Sequence, residues 1–252
     1  MNRIVKSLSV ATVLAVLISV HFAASAATVT NVLGFTGHEI FPVHQQISNL
    51  HVADLDGDGL NDLVVANNLR SKINLLYNLT GKTNRADAAP AHKLEINELP
   101  PDSRFRIDSI PTDERLAALM VTDLNSDGRP DSVYFGDVKD LTVRYDLCTN
   151  GWSEPKTWHL DDGMLSPNAL ATGDLNGDGR TDVLMLGESG TAYFLAQTKE
   201  HTLAEPQKIA YSGTPKAVSI ADVDGDGRND LVFVDFDSPN PFRIRRQNES
   251  GQ

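Results

Sequence analysis

An all-β fold built from four copies of one unit is predicted by two observations. An acidic nonapeptide recurs four times, as "DLDGDGLND" (Asp54–Asp62), "DLNSDGRPD" (Asp123–Asp131), "DLNGDGRTD" (Asp174–Asp182) and "DVDGDGRND" (Asp222–Asp230). Each copy stands between short runs rich in β-branched and aromatic residues, the pattern of a hairpin around a tight turn.

The copies begin 69, 51 and 48 residues apart. The unit is therefore about 50 residues long, and the first interval holds an insertion of roughly 20. The extra residues fall between Leu79 and Thr112, a stretch rich in Pro, Asp and Ser. Within each unit a first strand precedes the loop: "NLHVAD", "ALMVTD", "ALATGD" and "AVSIAD". A second follows it: "LVVANN", "SVYFGD", "VLMLGE" and "LVFVDF". The third strands are "KINLLYN", "LTVRYDL", "TAYFLAQ" and "FRIRRQN". Fourth strands are expected at "KTWHL", at "QKIAY", at either "KLEINEL" or "RFRIDSI", and at "HEIFPV" ahead of the first loop.

Four strands per unit of about 50 residues is the arithmetic of a β-propeller of four-stranded blades, with four blades encoded. The small residues of the first strands suit a crowded centre where innermost strands converge. The chain opens on a fourth-strand segment and stops after a third strand. Two arrangements follow: the N-terminal strand completes the last blade and closes a ring of four, or the blades are part of a larger propeller.

Residues 1–26 read as a signal peptide, with Arg3 and Lys6 ahead of an apolar run from Leu8 to Phe22 and the small residues Ala24-Ser25-Ala26. That run is shorter than the about 20 residues of a membrane span, and Ser9, Thr12, Ser19 and His21 interrupt it. Residues 27–252 are then the propeller domain, secreted or periplasmic, with no integral membrane segment after cleavage. Without Arg3 and Lys6 the chain has 20 basic against 34 acidic residues, a formal net charge of −14. The repeated loops alone hold 14 aspartates, so the acidity is concentrated there. Nucleic acid, which needs a basic footprint, is excluded as a partner. The single Cys148 cannot form an internal disulfide.

Each loop offers side-chain oxygens at positions 1, 3, 5 and 9, a backbone carbonyl at 7 and glycine at 6. In the first loop these are Asp54, Asp56, Asp58 and Asp62 with the Leu60 carbonyl. The second has Asp123, Asn125, Asp127 and Asp131 with Arg129; the third Asp174, Asn176, Asp178 and Asp182 with Arg180. The fourth has Asp222, Asp224, Asp226 and Asp230 with Arg228. Alternating positions of a tightly wound loop point at one centre, and carboxylates so close repel one another unless a cation joins them. An all-oxygen set suits calcium, up to four ions; magnesium prefers a compact octahedron, and transition metals want His or Cys. Asn at position 3 gives up one charge, so the second and third sites are expected to be the weaker ones. The loop's first half is EF-hand-like, but strands flank it and the glutamate at position 12 is missing.

The string D-x-D/N-x-D-G-x-x-D followed by an apolar strand resembles the FG-GAP/VCBS repeat of integrin α-subunit propellers and of many exported bacterial proteins. The resemblance runs from about Thr30 to the C-terminus. It implies a calcium-stabilised propeller used mostly for binding.

The expected function is accordingly a non-enzymatic module that binds an extracytoplasmic protein or glycan. No G-x-S-x-G, H-E-x-x-H or phosphate-binding glycine loop is present. An enzyme acting on polysaccharides would have to draw on scattered residues such as His38, His44, His51, His159 and His201. A lectin would use Trp152 and Trp158 with Arg144, although tryptophans near outer strands more often pack between blades.

Overall fold

The computed structural model describes residues 40–82, 99, 103–147, 154–211 and 213–249. The chain divides into Met1–Ile40 and Phe41–Gln252, and the fold below is that of the second unit. The signal peptide, His38, Cys148, Trp152 and residues 93–98 of the "KLEINEL" segment lie outside the described residues.

The fold is all-β: four antiparallel sheets arranged as propeller-like blades. The first contains β1 (Ile47–Ala53), β2 (Asp62–Asn67), β3 (Lys72–Asn78) and β4 (Phe105–Pro111), paired in that order. The second runs β5 (Leu116–Thr122), β6 (Asp131–Gly136), β7 (Asp140–Arg144) and β8 (Lys156–His159). The third is β9 (Leu170–Gly173), β10 (Asp182–Leu186), β11 (Thr191–Leu195) and β12 (Gln207–Ala210). The fourth has three strands among the described residues, β13 (Ala217–Ala221), β14 (Asp230–Val234) and β15 (Phe242–Arg245). The first fourth strand is "RFRIDSI", so the insertion lies between β3 and β4.

The first strands of successive sheets adjoin, β1 with β5, β5 with β9 and β9 with β13. The crowding expected there is visible at Gly173 in β9, where a Cβ would lie 2.8 Å from Cγ2 of Ile220 in β13. β13 makes no packing of similar extent with β1, so the series of described sheets does not close on itself. The "HEIFPV" expectation fails over its described part: residues 40–43 are irregular, and Phe41 packs edge-on against Phe105 of β4, centroids 5.0 Å apart. This aromatic contact joins to the first sheet a segment that the closed-ring arrangement would place in the last.

Because side chains alternate across a strand, each blade presents one face to each neighbour. Tyr134 of β6 joins Val64, Ile73, Leu75 and Ile110 in the core between the first two sheets. Its neighbours Val133 and Phe135 point the other way, into the core shared with Leu170, Val183, Met185 and Phe233. The row Ala118–Phe135–Leu141–Trp158 crosses the whole second sheet in register on that face. All four residues are buried.

Glu114, in the turn before β5, is 7% exposed and accepts the Val138 N–H at 3.2 Å. Burial pushes its carboxyl up to about 7, opposed by the Val138 hydrogen bond and reinforced by Asp140, Asp137 and Asp113. An acid whose folded pKa is raised binds its proton more tightly in the folded state. Its favourable contribution is present below the unfolded value, near 4.5, and is lost as pH rises through about 7. Glu114→Gln is therefore expected to raise the melting temperature by about 2–8 °C at pH 8 and to leave it unchanged at pH 4. Melting curves at both pH values check this; an equal gain at both would assign the effect to packing instead of charge.

Candidate metal centre

The four acidic loops join the first to the second strand of each sheet, so they lie at equivalent places in successive blades. A cleft of about 410 Å³ separates the first two, lined by Asp54, Asp56, Val121, Asp123 and Pro130. Another lies between the third and fourth, bordered by Asp174, Asn176, Arg228 and Gln247.

Each loop is wound by its own first aspartate. Asp54 Oδ1 accepts the N–H groups of Gly57 (2.8 Å) and Asp58 (3.1 Å), and its Oδ2 accepts that of Gly59 (2.9 Å). Asp123, Asp174 and Asp222 repeat the pattern, closing onto Gly128, Gly179 and Gly227 at 2.9, 2.8 and 2.8 Å. The amide of Gly227, followed by those of Gly225 and Asp226, holds the Asp222 carboxyl below its ordinary value. The aspartate at position 5 accepts the amide two residues on, as Asp58 does from Leu60 at 2.8 Å.

Two positions per loop are left-handed, not one. Position 6 is glycine throughout, with φ between 79° and 84°. Position 4 is also left-handed, as Gly57, Gly177, Gly225 and, in the second loop, Ser126 with φ 61°. A Cβ at Gly57, Gly59, Gly128, Gly179, Gly225 or Gly227 would meet nothing within 4 Å, so backbone conformation and not space selects glycine there. The fourth-position requirement was legible in three of the four copies, but the position-6 glycine hid it by seeming sufficient.

The structure brings positions 1, 3 and 5 together. Asp54, Asp56 and Asp58 each offer an oxygen within 4.8 Å of the others, and so do Asp222, Asp224 and Asp226. In the second and third loops the position-3 residue is asparagine, whose Oδ1 accepts the Asp127 or Asp178 N–H at 3.0 Å.

Position 9 sits differently. Asp62, Asp131 and Asp182 are fully buried and Asp230 is 1% exposed. In every copy one carboxylate oxygen accepts the amide of position 2, from Leu55, Leu124, Leu175 or Val223 at 2.8–3.1 Å. The other accepts an amide just past the third strand or at its end, from Asn78, Asp146, Gln197 or Gln247 at 2.6–3.0 Å. The carboxylate pins the loop to the blade, a role that spacing did not reveal. Burial raises Asp131 and Asp182 to about 6 each, with the hydrogen bonds opposing and the other loop carboxylates adding to the rise. Burial raises Asp62 as well. Each oxygen retains a second lone pair, so pinning and metal ligation are compatible.

Contacts from the next blade reach the edges of two loops, the second and the third. Gln197 Nε2 donates to Ser126 Oγ at 3.0 Å while its Oε1 accepts the Thr181 N–H at 3.0 Å. A ring nitrogen of His201 lies 2.6 Å from the Asn125 carbonyl, and Gln247 Nε2 donates to the Asp174 carbonyl at 3.4 Å.

The residues considered for catalysis or sugar stacking have other surroundings. His51 in β1 is half-buried, bonded to the Leu119 carbonyl at 2.6 Å, and desolvation lowers its pKa. His159 is exposed between Asp140 (2.7 Å) and Asp161 (2.9 Å), which raise its pKa. Trp158 is 8% exposed, packed into the core between the second and third sheets, and its indole N–H donates to Glu205 at 2.9 Å. It offers no open ring face, since Lys156 Nζ lies 4.6 Å from its centroid. Arg144 donates to the Tyr134 hydroxyl at 3.2 Å.

Residues 123–185 and 174–233 match the FG-GAP-like repeat. No curated protein matches the sequence. Among solved structures, a crystal structure of BBS1N in complex with ARL6DN, soaked with mercury, is 13% identical with a TM-score of 0.49. The match covers 80% of this chain and 52% of that one, so the chain spans about half the length of its neighbour. A second, the crystal structure of TcdB2-TccC3-Cdc42, is 14% identical with a TM-score of 0.37, covering 79% of this chain and 14% of that one.

Proposed function

We propose that this chain, whose residues 123–233 match the FG-GAP-like repeat, is an exported, non-enzymatic propeller module that binds a protein partner and uses calcium to rigidify its blade hairpins. The observation behind the calcium reading is the convergence of three carboxylates on one small volume in the first and fourth loops. The donor set is entirely oxygen, as a hard cation requires. Asp54, Asp56 and Asp58 would hold the ion in the first loop, with Asp62 and the Leu60 carbonyl. Equivalent sets are Asp123, Asn125, Asp127, Asp131 and Arg129; Asp174, Asn176, Asp178, Asp182 and Arg180; and Asp222, Asp224, Asp226, Asp230 and Arg228. A bound divalent ion would neutralise the carboxylates, while the backbone N–H groups that donate to them, such as those of Gly57 and Gly59 to Asp54, would still wind the loop.

A saturated oxygen cage leaves no open coordination position for a substrate, which favours a structural over a catalytic ion. A protein partner is favoured over a glycan because Trp158, the stacking residue among the described ones, is consumed in packing. Export rests on the composition of residues 1–26, and in the described residues no helix is long and apolar enough to cross a membrane.

Thermal unfolding of the full chain in millimolar calcium and in chelator tests the reading. Calcium at 100 times its dissociation constant contributes about 2.7 kcal/mol per independent site, so the melting temperature is expected to rise by several degrees. Coincident curves would refute metal binding. Binding on a glycan array in place of protein capture would move the partner to the sugar class, and turnover across a polysaccharide panel would overturn the non-enzymatic reading.

A further inference from the structure

The first loop differs from the other three in how its carboxylates are neutralised. In the second, third and fourth loops position 7 is arginine, and its guanidinium folds back onto the position-5 carboxylate: Arg129 onto Asp127 at 2.9 Å, Arg180 onto Asp178 and Arg228 onto Asp226. Two of these arginines are also tied to the blade, with Nε donating to the carbonyl of Gln197 (3.0 Å) or Gln247 (3.3 Å). In the first loop position 7 is Leu60, which has no charge to offer.

Its place is taken from outside the motif. Lys82, 26 residues beyond Asp56, puts its ammonium against Asp58 and 3.4 Å from Asp56 Oδ2. The approach is built. Asn78 donates its backbone N–H to Asp62 at 2.6 Å and its side-chain amide to the Asn61 carbonyl at 3.1 Å, fixing the end of β3 to the loop. A turn follows in which Asn78 Oδ1 accepts the Thr80 N–H at 3.0 Å, Gly81 is left-handed with φ 77°, and the Lys82 N–H returns to the Leu79 carbonyl at 3.1 Å. The turn delivers Lys82 to the two oxygen donors that would hold a metal at positions 3 and 5. A lysine suits this place because its ammonium is a compact point charge that can bridge two carboxylates, whereas a planar guanidinium engages from the side.

We propose that Lys82 is a tethered counter-ion of the first loop, which calcium must displace, so that this site binds calcium more weakly than its three carboxylates would dictate. The inference rests on the calcium reading above. It sets the first loop apart from the fourth, which has the same three carboxylates at positions 1, 3 and 5 but whose counter-ions, Arg228 and Arg246, each face a single aspartate.

The test is calorimetric calcium titration of the full chain as wild type, Lys82→Ala, Lys82→Gln and Lys82→Arg, with melting curves in chelator alongside. Removing the ammonium is expected to tighten one site about three- to tenfold and to leave the rest unchanged, since partly exposed ion pairs to two carboxylates have about that effect. Lys82→Arg, which keeps the charge but not the bridging geometry, should fall between wild type and the Ala variant. In chelator the Ala and Gln variants should melt lower than wild type, because the Asp56 and Asp58 carboxylates then lack their cation, and the order should reverse in saturating calcium. Addition of Asp58→Asn to Lys82→Ala should abolish the tightened site. Unchanged or weaker calcium affinity in both Ala and Gln variants would overturn the role of Lys82 while leaving calcium binding intact. Absence of calcium binding by the wild type would overturn the calcium reading itself.

Discussion

Asp182→Ala is expected to destabilise the protein by about 2–6 kcal/mol in the absence of calcium, far more than Asp178→Ala four residues earlier. Asp182 is fully buried, and its two oxygens accept the Leu175 N–H at 3.0 Å and the Gln197 N–H at 2.9 Å. Truncation strands both donors, and each unsatisfied buried group costs about 1–3 kcal/mol. Asp178 is partly exposed and accepts the Arg180 amide at 3.0 Å, which water can replace. Its loss in chelator should therefore cost no more than about 1 kcal/mol. Calcium should invert what is seen at Asp178, since a ligand removed there erases that site's share of the calcium-induced gain. Urea denaturation of both variants in chelator and in calcium provides the comparison. Equal costs in chelator would show that position 9 is no pin.

Phe135→Ala is expected to cost about 3–5 kcal/mol, as the loss of a large, fully buried aromatic does. Phe135 has no exposed surface and lies in the row that crosses the second sheet. Its ring tip lies where a Cβ on Gly163 would stand, so this glycine is required by the close approach of the segment joining the second and third blades. Gly163→Ala should accordingly cost about 1–3 kcal/mol through overpacking. Phe135→Leu, which shortens the side chain, should reduce the cost of Gly163→Ala, a non-additivity measurable by a double-mutant cycle in urea. Strict additivity would mean that the two positions are not in contact. Because Phe135 belongs to the core shared by the second and third blades, the same variants should also broaden the melting transition as the blades uncouple.

Much of this protein is determined by short stretches of sequence. The eight strands that flank the acidic loops, β1, β2, β5, β6, β9, β10, β13 and β14, coincide with the runs read beside them, whereas β4 was one of two candidates and register placed it at Phe105–Pro111. The loops were legible because nearly all their winding bonds, such as those from Asp174 to Gly177 and Gly179, close within five residues. A local pattern needs no partner from elsewhere, so the residue string dictates it.

Only the tertiary structure decided what depends on distant chain. The pinning role of Asp62, Asp131, Asp182 and Asp230 requires amides from 15 to 17 residues away, and the Lys82 contact spans 26. Whether Trp158 faced a ligand or the core, and whether Phe41 served the last blade or the first, turned on which faces meet. Sequence spacing specifies which side of a strand a residue occupies; burial against another sheet, and the desolvation that follows, decides what that side chain does.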